Sequence, residues 1–155
     1  DYTAASHAWI PGQRSSPYEM GLGWTVNLDK QGYFVGRREL EREHREGSSW
    51  QLAGLEIDWE GLEREYAAVG MPPQVPASAV RGSIPVYAGP RQVGYASTST
   101  WSPVLKKYIA LVHLQQPYFT PGTKVESEVT VEHHRRKSPA TVVELPFYDP
   151  EWKKK

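Results

Sequence analysis

The chain has no cysteine. That removes a disulfide framework, thiolate catalysis and every cysteine-based zinc site from consideration, and it fits a reducing compartment, so a cytoplasmic location is the expectation. Net charge is absent too: 18 Lys and Arg balance 18 Asp and Glu. Without a global excess of either sign, neither nucleic acid nor an anionic membrane surface is called for as a partner. A local basic run such as "HHRRK" at 133–137 is an exception. No apolar run approaches the roughly 20 residues a membrane helix needs, and no signal peptide is visible. The sequence also lacks a phosphate-binding glycine loop, a zinc motif and a nucleophile elbow.

What is present is a chain of 155 residues, 39% hydrophobic and 23% charged, a composition that supports a packed core and not disorder. It starts at Asp1, which suggests a fragment or a processed chain. Thirteen prolines and thirteen glycines cut it into short segments, the pattern of short strands joined by turns. "GWTVNLD" at 23–29 alternates Trp24, Val26 and Leu28 with polar residues and predicts a half-buried strand. "GRRELEREHREG" at 36–47 predicts a helix closing on Gly47, with i,i+4 pairs Arg37/Glu41, Glu41/Arg45 and Arg42/Glu46 on a solvated face. Residues 50–58 read as a strand, 60–70 as a short helix, and "MPPQVPASAV" at 71–80 as an extended connection. Strands follow at about 84–88, 92–98, 108–114, 124–133 and 139–146. The sequence thus divides at about residue 48. The tail of a mixed α/β unit comes first, and residues 49–155 carry the strands of a small barrel or sandwich, which hides its edges by closing.

Candidate chemistry rests on single residues. Glu19 is a carboxylate among Tyr18, Met20, Leu22 and Trp24; that setting suits a turn residue or an acceptor held beside a ligand. Arg81 follows the proline-rich approach, and a guanidinium fork holds carboxylates or polar heterocycles; it too reads either way. In "GYASTSTWSPVLKKYIALV" at 94–112, small hydroxyl residues lead to Ser102, which predicts an N-cap with Pro103 at the first helical position. The loop so formed lines a cleft or is simply a tight turn. The five histidines give no metal geometry: His133 and His134, adjacent on a strand, point to opposite faces.

Five stretches in register resemble the carboxy-terminal half of the glycine cleavage T-protein family, the folate-dependent aminomethyltransferases. They are "SPYEMGLGWTVNLDKQGYFVGRREL" at 16–40, "LAGLEID" at 52–58, "IPVYAGPRQVGYASTSTWSPVLKKYIALV" at 84–112, "PGTKVESEV" at 121–129 and "ATVVELPFYDP" at 140–150. The resemblance implies an α+β, mostly β fold: the end of a folate-binding domain over 1–48, then a small antiparallel β barrel over 49–155. It implies tetrahydrofolate as cofactor and transfer of a one-carbon unit to it. The donor would be an aminomethyl group on lipoylated H-protein, and the missing amino-terminal region of the same chain would complete the folate cavity. Glu19, Trp24 and Arg81 become the implied cofactor-binding residues, Glu19 facing the donor edge of the pterin. Asp1 lies near another family acid. The insertion at 59–80 and the opening "DYTAASHAW" look more like the branch that demethylates aryl methyl ethers, where Tyr2 is the counterpart of a tyrosine that assists methyl transfer. A non-catalytic folate-binding or packing module is the remaining alternative, and this piece alone is expected to be inactive.

Overall fold

The structure, a computed structural model, describes residues 15–76 and 78–154. The chain separates into two compact units, Asp1–Gln51 and Leu52–Lys155, and each is taken by itself. Tyr2 and Asp1 lie outside the described residues.

The first unit is organised by helix α1, Arg37–Glu46. Its start is at Gly36 in the left-handed region, and Gly47 ends it, donating its N–H to the Glu43 carbonyl. The predicted helix is therefore present, but its charges pair differently. Arg37–Glu41 forms at 2.7 Å. Arg42 turns back to Glu39 at 2.6 Å and Arg45 to its neighbour Glu46 at 2.9 Å, in place of the other two i,i+4 pairs. Arg37 does more than its exposed setting suggested. Its guanidinium donates to the carbonyls of Leu28, Lys30 and Gly32 and so fastens the preceding loop.

That loop corrects the strand predicted at 23–29. Gly23–Thr25 is a 3₁₀ turn. Thr25 returns both its N–H and its hydroxyl to the Leu22 carbonyl, and Asn27 accepts from the Asp29 N–H. Alternating hydrophobicity makes a strand only where a neighbouring strand supplies a ladder; here local side-chain and turn hydrogen bonds take the backbone groups instead.

The second unit is a closed barrel of six strands: β1 Trp50–Ile57, β2 Val80–Ala88, β3 Arg91–Ser102, β4 Lys107–Gln115, β5 Lys124–Val131 and β6 His134–Val143. Around the ring the order is β1-β4-β3-β2-β5-β6, two interlocked Greek keys. Inward residues come from alternate positions, as the pleat requires. Leu55, Val86, Val93, Val112, Leu114 and Val142 are fully buried and form the core.

Helix α2, Trp59–Ala67, leaves β1 through an N-cap: the Asp58 carboxylate accepts from the Gly61 N–H at 2.9 Å. Leu62 and Tyr66 turn inward against Val131, Val129 and Tyr108, and the connection that follows adds Val69, Met71 and Val75. The helix and the proline-rich segment therefore cover one end of the barrel.

Three local readings change. The hydroxyl-rich stretch before Trp101 is the second half of β3, hydrogen-bonded to β4, and not a loop. Ser102 does accept from the Leu105 N–H, at 3.3 Å, but it caps a hairpin turn and no helix follows. The strands predicted at 124–133 and 139–146 are one hairpin, because Glu132 and His133 both take positive φ (48° and 63°) and form its two-residue turn. His133 therefore sits on a turn, and His134 opens β6 opposite Val131.

Candidate functional site

Glu19 lies in a one-turn helical segment that Ser16 and Pro17 open. The Ser16 hydroxyl accepts from the Glu19 N–H at 3.1 Å, and Glu19 Oε2 accepts from the Ser16 N–H at 3.1 Å. This reciprocal arrangement is a capping box, serine at the cap and glutamate three residues on. The sequence carries it in "SPYE", a serine followed three residues later by a glutamate. The Ser16 hydroxyl also donates to Glu43 Oε1 at 2.7 Å, and Ser48 donates to the same oxygen at 2.6 Å. Glu43 is the acceptor that ties the C-terminal half of α1 to the Ser16 turn and to Ser48 just beyond the helix. Glu19 thus has a structural task through one oxygen, and its Oε1 has no partner among the described residues. Trp24, in the same unit, is 83% exposed. Arg81 belongs to the other unit, on β2 opposite Thr98. Its side chain is exposed and makes no ion pair among the described residues.

The barrel holds the more developed site. A cavity of about 430 Å³ lies at the end covered by α2. It exists because the inward residues shrink along the strands. Moving from the filled end toward α2, Val112 gives way to Ala110, Val93 to Ala96 and Ser99, Val125 to Ser127 and Val142 to Ser138. In a barrel this narrow, ordinary side chains fill the interior; here they stop short of one end.

The walls carry hydroxyls. Ser99 Oγ and Tyr108 Oη share a hydrogen bond of 3.1 Å. Ser138 Oγ donates weakly to the Asp58 carbonyl at 3.4 Å. Ser127 is 4% exposed, and its hydroxyl has no hydrogen-bond partner among the described residues. Tyr66 donates to the Gln74 carbonyl at 3.0 Å, which fixes the proline-rich segment over the opening. Burial raises the Tyr66 phenol above its ordinary value of 10.0, so it stays protonated and able to donate. At the rim, Glu128 Oε2 accepts from the Tyr87 hydroxyl at 3.2 Å. The sequence reading found neither this cavity nor its residues. Single hydroxyls scattered over four strands have no spacing that sequence can expose.

A six-stranded Greek-key barrel with a helix across one end defines the structural class. The sequence pattern described as the glycine cleavage T-protein C-terminal barrel domain matches residues 67–149, more than half of the chain. An aminomethyltransferase of Prochlorococcus marinus (strain NATL2A) is 32% identical over 134 residues, 86% of this chain and 30% of that protein. One of Bacillus pumilus (strain SAFR-032) is 31% identical over 133 residues, again 86% of this chain and 31% of that protein. The glycine cleavage system aminomethyltransferase T of Bartonella henselae has a crystal structure similar in fold, with a TM-score of 0.64 at 16% identity, covering 88% of this chain and 33% of that one. The chain belongs to the glycine cleavage T-protein family, and residues 67–149 match that family's C-terminal barrel domain. It spans about 30% of the length of the curated relatives it matches.

Proposed function

We propose that this chain is the carboxy-terminal part of a cytoplasmic tetrahydrofolate-dependent aminomethyltransferase, in which residues 1–48 end the folate-binding domain and 49–155 form the barrel domain. The observation that carries this reading is family membership together with relatives that are named aminomethyltransferases. Three side chains have binding capacity that suits a reduced folate. Glu19 Oε1 is free among the described residues, while Oε2 is held in the capping box, so the carboxylate is oriented before any ligand arrives. It is suited to accept from the 2-amino and N3–H edge of a pterin. The exposed indole of Trp24 offers an aromatic face. Arg81 offers an unused fork for a carboxylate tail. Tetrahydrofolate, when bound, supplies the nitrogen that takes the one-carbon unit. The protein's share is to hold that molecule and the donor in register, a task of positioning more than of acid–base strength. Lipoylated H-protein is the proposed donor carrier.

Calorimetry with 5-formyltetrahydrofolate on the whole protein tests the reading. The wild type binds, and Glu19→Gln, which still completes a capping box, weakens binding about tenfold through loss of a charge-assisted pair. An unchanged affinity would confine Glu19 to its cap. No folate binding by the wild type would overturn the proposal as a whole. A turnover assay then separates donors: ammonia release from aminomethylated H-protein supports the aminomethyltransferase, and phenol release from an aryl methyl ether in its place would assign the chain to the demethylating branch.

A further inference from the structure

We propose that the hollow end of the barrel is a binding site for a small neutral molecule with a single-ring or branched apolar body and a hydroxyl or amide group. This site is independent of the folate reading, and its residues are none of those assigned there.

Four observations lead to it. The first is size: about 430 Å³ falls within the range of small-ligand sites, about 300–1,000 Å³. The second is design of the walls. The same strands that fill the far end with Val and Leu present Ala96, Ala110, Ser99, Ser127 and Ser138 here, all at most 4% exposed. Filling this space with larger side chains would bury more apolar surface; small residues from four strands forgo that gain. The third is an unpaired hydroxyl. Ser127 faces inward, and its hydroxyl, open to the cavity, has no protein partner among the described residues, so it is available to a ligand. A ligand hydroxyl or amide completes it. Beside it, the Ser99–Tyr108 pair can reverse its donor, so it serves a ligand donor or acceptor equally.

The fourth observation is a way in. β2 and β5 are paired only at Val86↔Ser127 and Tyr87↔Glu126. Beyond those rungs the two strands diverge. Ser83, Ile84 and Pro85 form one lip and Glu128, Val129 and Thr130 the other, all lining the cavity. Pro85 has no N–H to donate across the gap. The seam is thus a short join of the barrel and a route for a ligand.

Charge sets the selectivity. No lysine, arginine or histidine is among the described lining residues, and Glu128 stands at the lip. An anion would be desolvated with no lining cation to receive it, and at the lip it would meet a carboxylate that Arg135 neutralises only in part, at 3.8 Å. Neutral ligands are therefore accepted and carboxylates refused.

The test is titration of the isotope-labelled full chain with benzyl alcohol, followed by amide chemical shifts, with benzoate as the charged counterpart. Saturable shifts centred on Ala96, Ser99, Ala110, Ser127 and Ser138 are expected with benzyl alcohol and not with benzoate. Ala110→Leu fills the cavity and abolishes the shifts. Ser127→Ala removes the hydroxyl without adding bulk to the cavity and so retains the fold; it weakens binding about tenfold. Absence of saturable shifts with benzyl alcohol would overturn the proposal. So would equal binding in the wild type and Ser127→Ala, or equal binding of benzoate. Because the readout is independent of folate, its failure leaves the proposed transferase activity standing, and the converse also holds.

Discussion

Gly94→Ala is the sharpest test of the barrel's packing. Gly94 lies in β3, opposite Val86 on one side and Leu114 on the other. Its φ is not in the left-handed region, so the backbone itself would accept alanine. The obstacle is space. A Cβ at this position falls inside the contact distance of the His113 carbonyl oxygen, 2.7 Å from Leu114 Cδ2 and 3.0 Å from Leu114 Cα. Carbon atoms pack at about 3.5–4.0 Å, and two of the three obstructing atoms are backbone, which no rotamer change can move. β3 and β4 must part. Overpacking of this kind costs about 1–3 kcal/mol, and each ladder hydrogen bond that opens with it adds about 1 kcal/mol. With two such bonds, the expected loss is about 3–5 kcal/mol. For a unit of this size, each kcal/mol lowers the melting temperature by about 4 °C, so a circular-dichroism melt should fall by roughly 12–20 °C. Gly82→Ala is the internal control. It lies in the same sheet, and a Cβ there meets nothing within 4 Å, so its melt should stay within about 2 °C of the wild type. A fall of under about 3 °C for Gly94→Ala would refute the close β3–β4 register at this point.

Two further outcomes follow from local features. Asp58→Ala deprives the Gly61 N–H of its acceptor and should cost about 1 kcal/mol in urea denaturation, whereas Asp58→Asn, another good cap, should recover most of it; equal losses would remove the capping role. Burial holds the His113 imidazole below its ordinary value of 6.5. Its folded-state pKa being depressed, its contribution is fully present above pH 6.5 and is lost as the pH falls through the folded value, because the unfolded chain takes the proton first. Stability measured in urea should therefore decline on lowering the pH from 6.5, and His113→Gln should flatten that segment; an unchanged slope would place the decline elsewhere.

Sequence and structure agree where hydrogen-bond partners are local and part where they are distant. "RRELEREHRE" became α1 because helix formers and a terminal glycine act within one segment. The helix read at 60–70 was legible for the same reason, although Asp58, read as the end of a strand, is its N-cap. "GWTVNLD" was misread because alternation states which residues share a face, and says nothing about whether a strand lies alongside. The β5–β6 hairpin was misplaced because Glu132 and His133 occupy a turn that usually takes asparagine and glycine, so composition gave no sign of it. Among the candidate site residues, the Ser16–Glu19 capping box could have been found in four letters, whereas the partner of Ser16 on α1, Glu43, is 27 positions away.

The amino-acid sequence by itself determined that this is a β-rich chain without cysteine chemistry, where most of its strands and helices run, and which family it resembles, because those properties are local or additive along the chain. Only the tertiary structure decided that the strands close into a ring in the order β1-β4-β3-β2-β5-β6. It alone brought Ser99, Ser127 and Ser138 to one hollow end, with α2 across it. Pleating tells each strand which side faces in; closure and register decide which inward residues meet, and those are set by contacts between positions far apart in the chain.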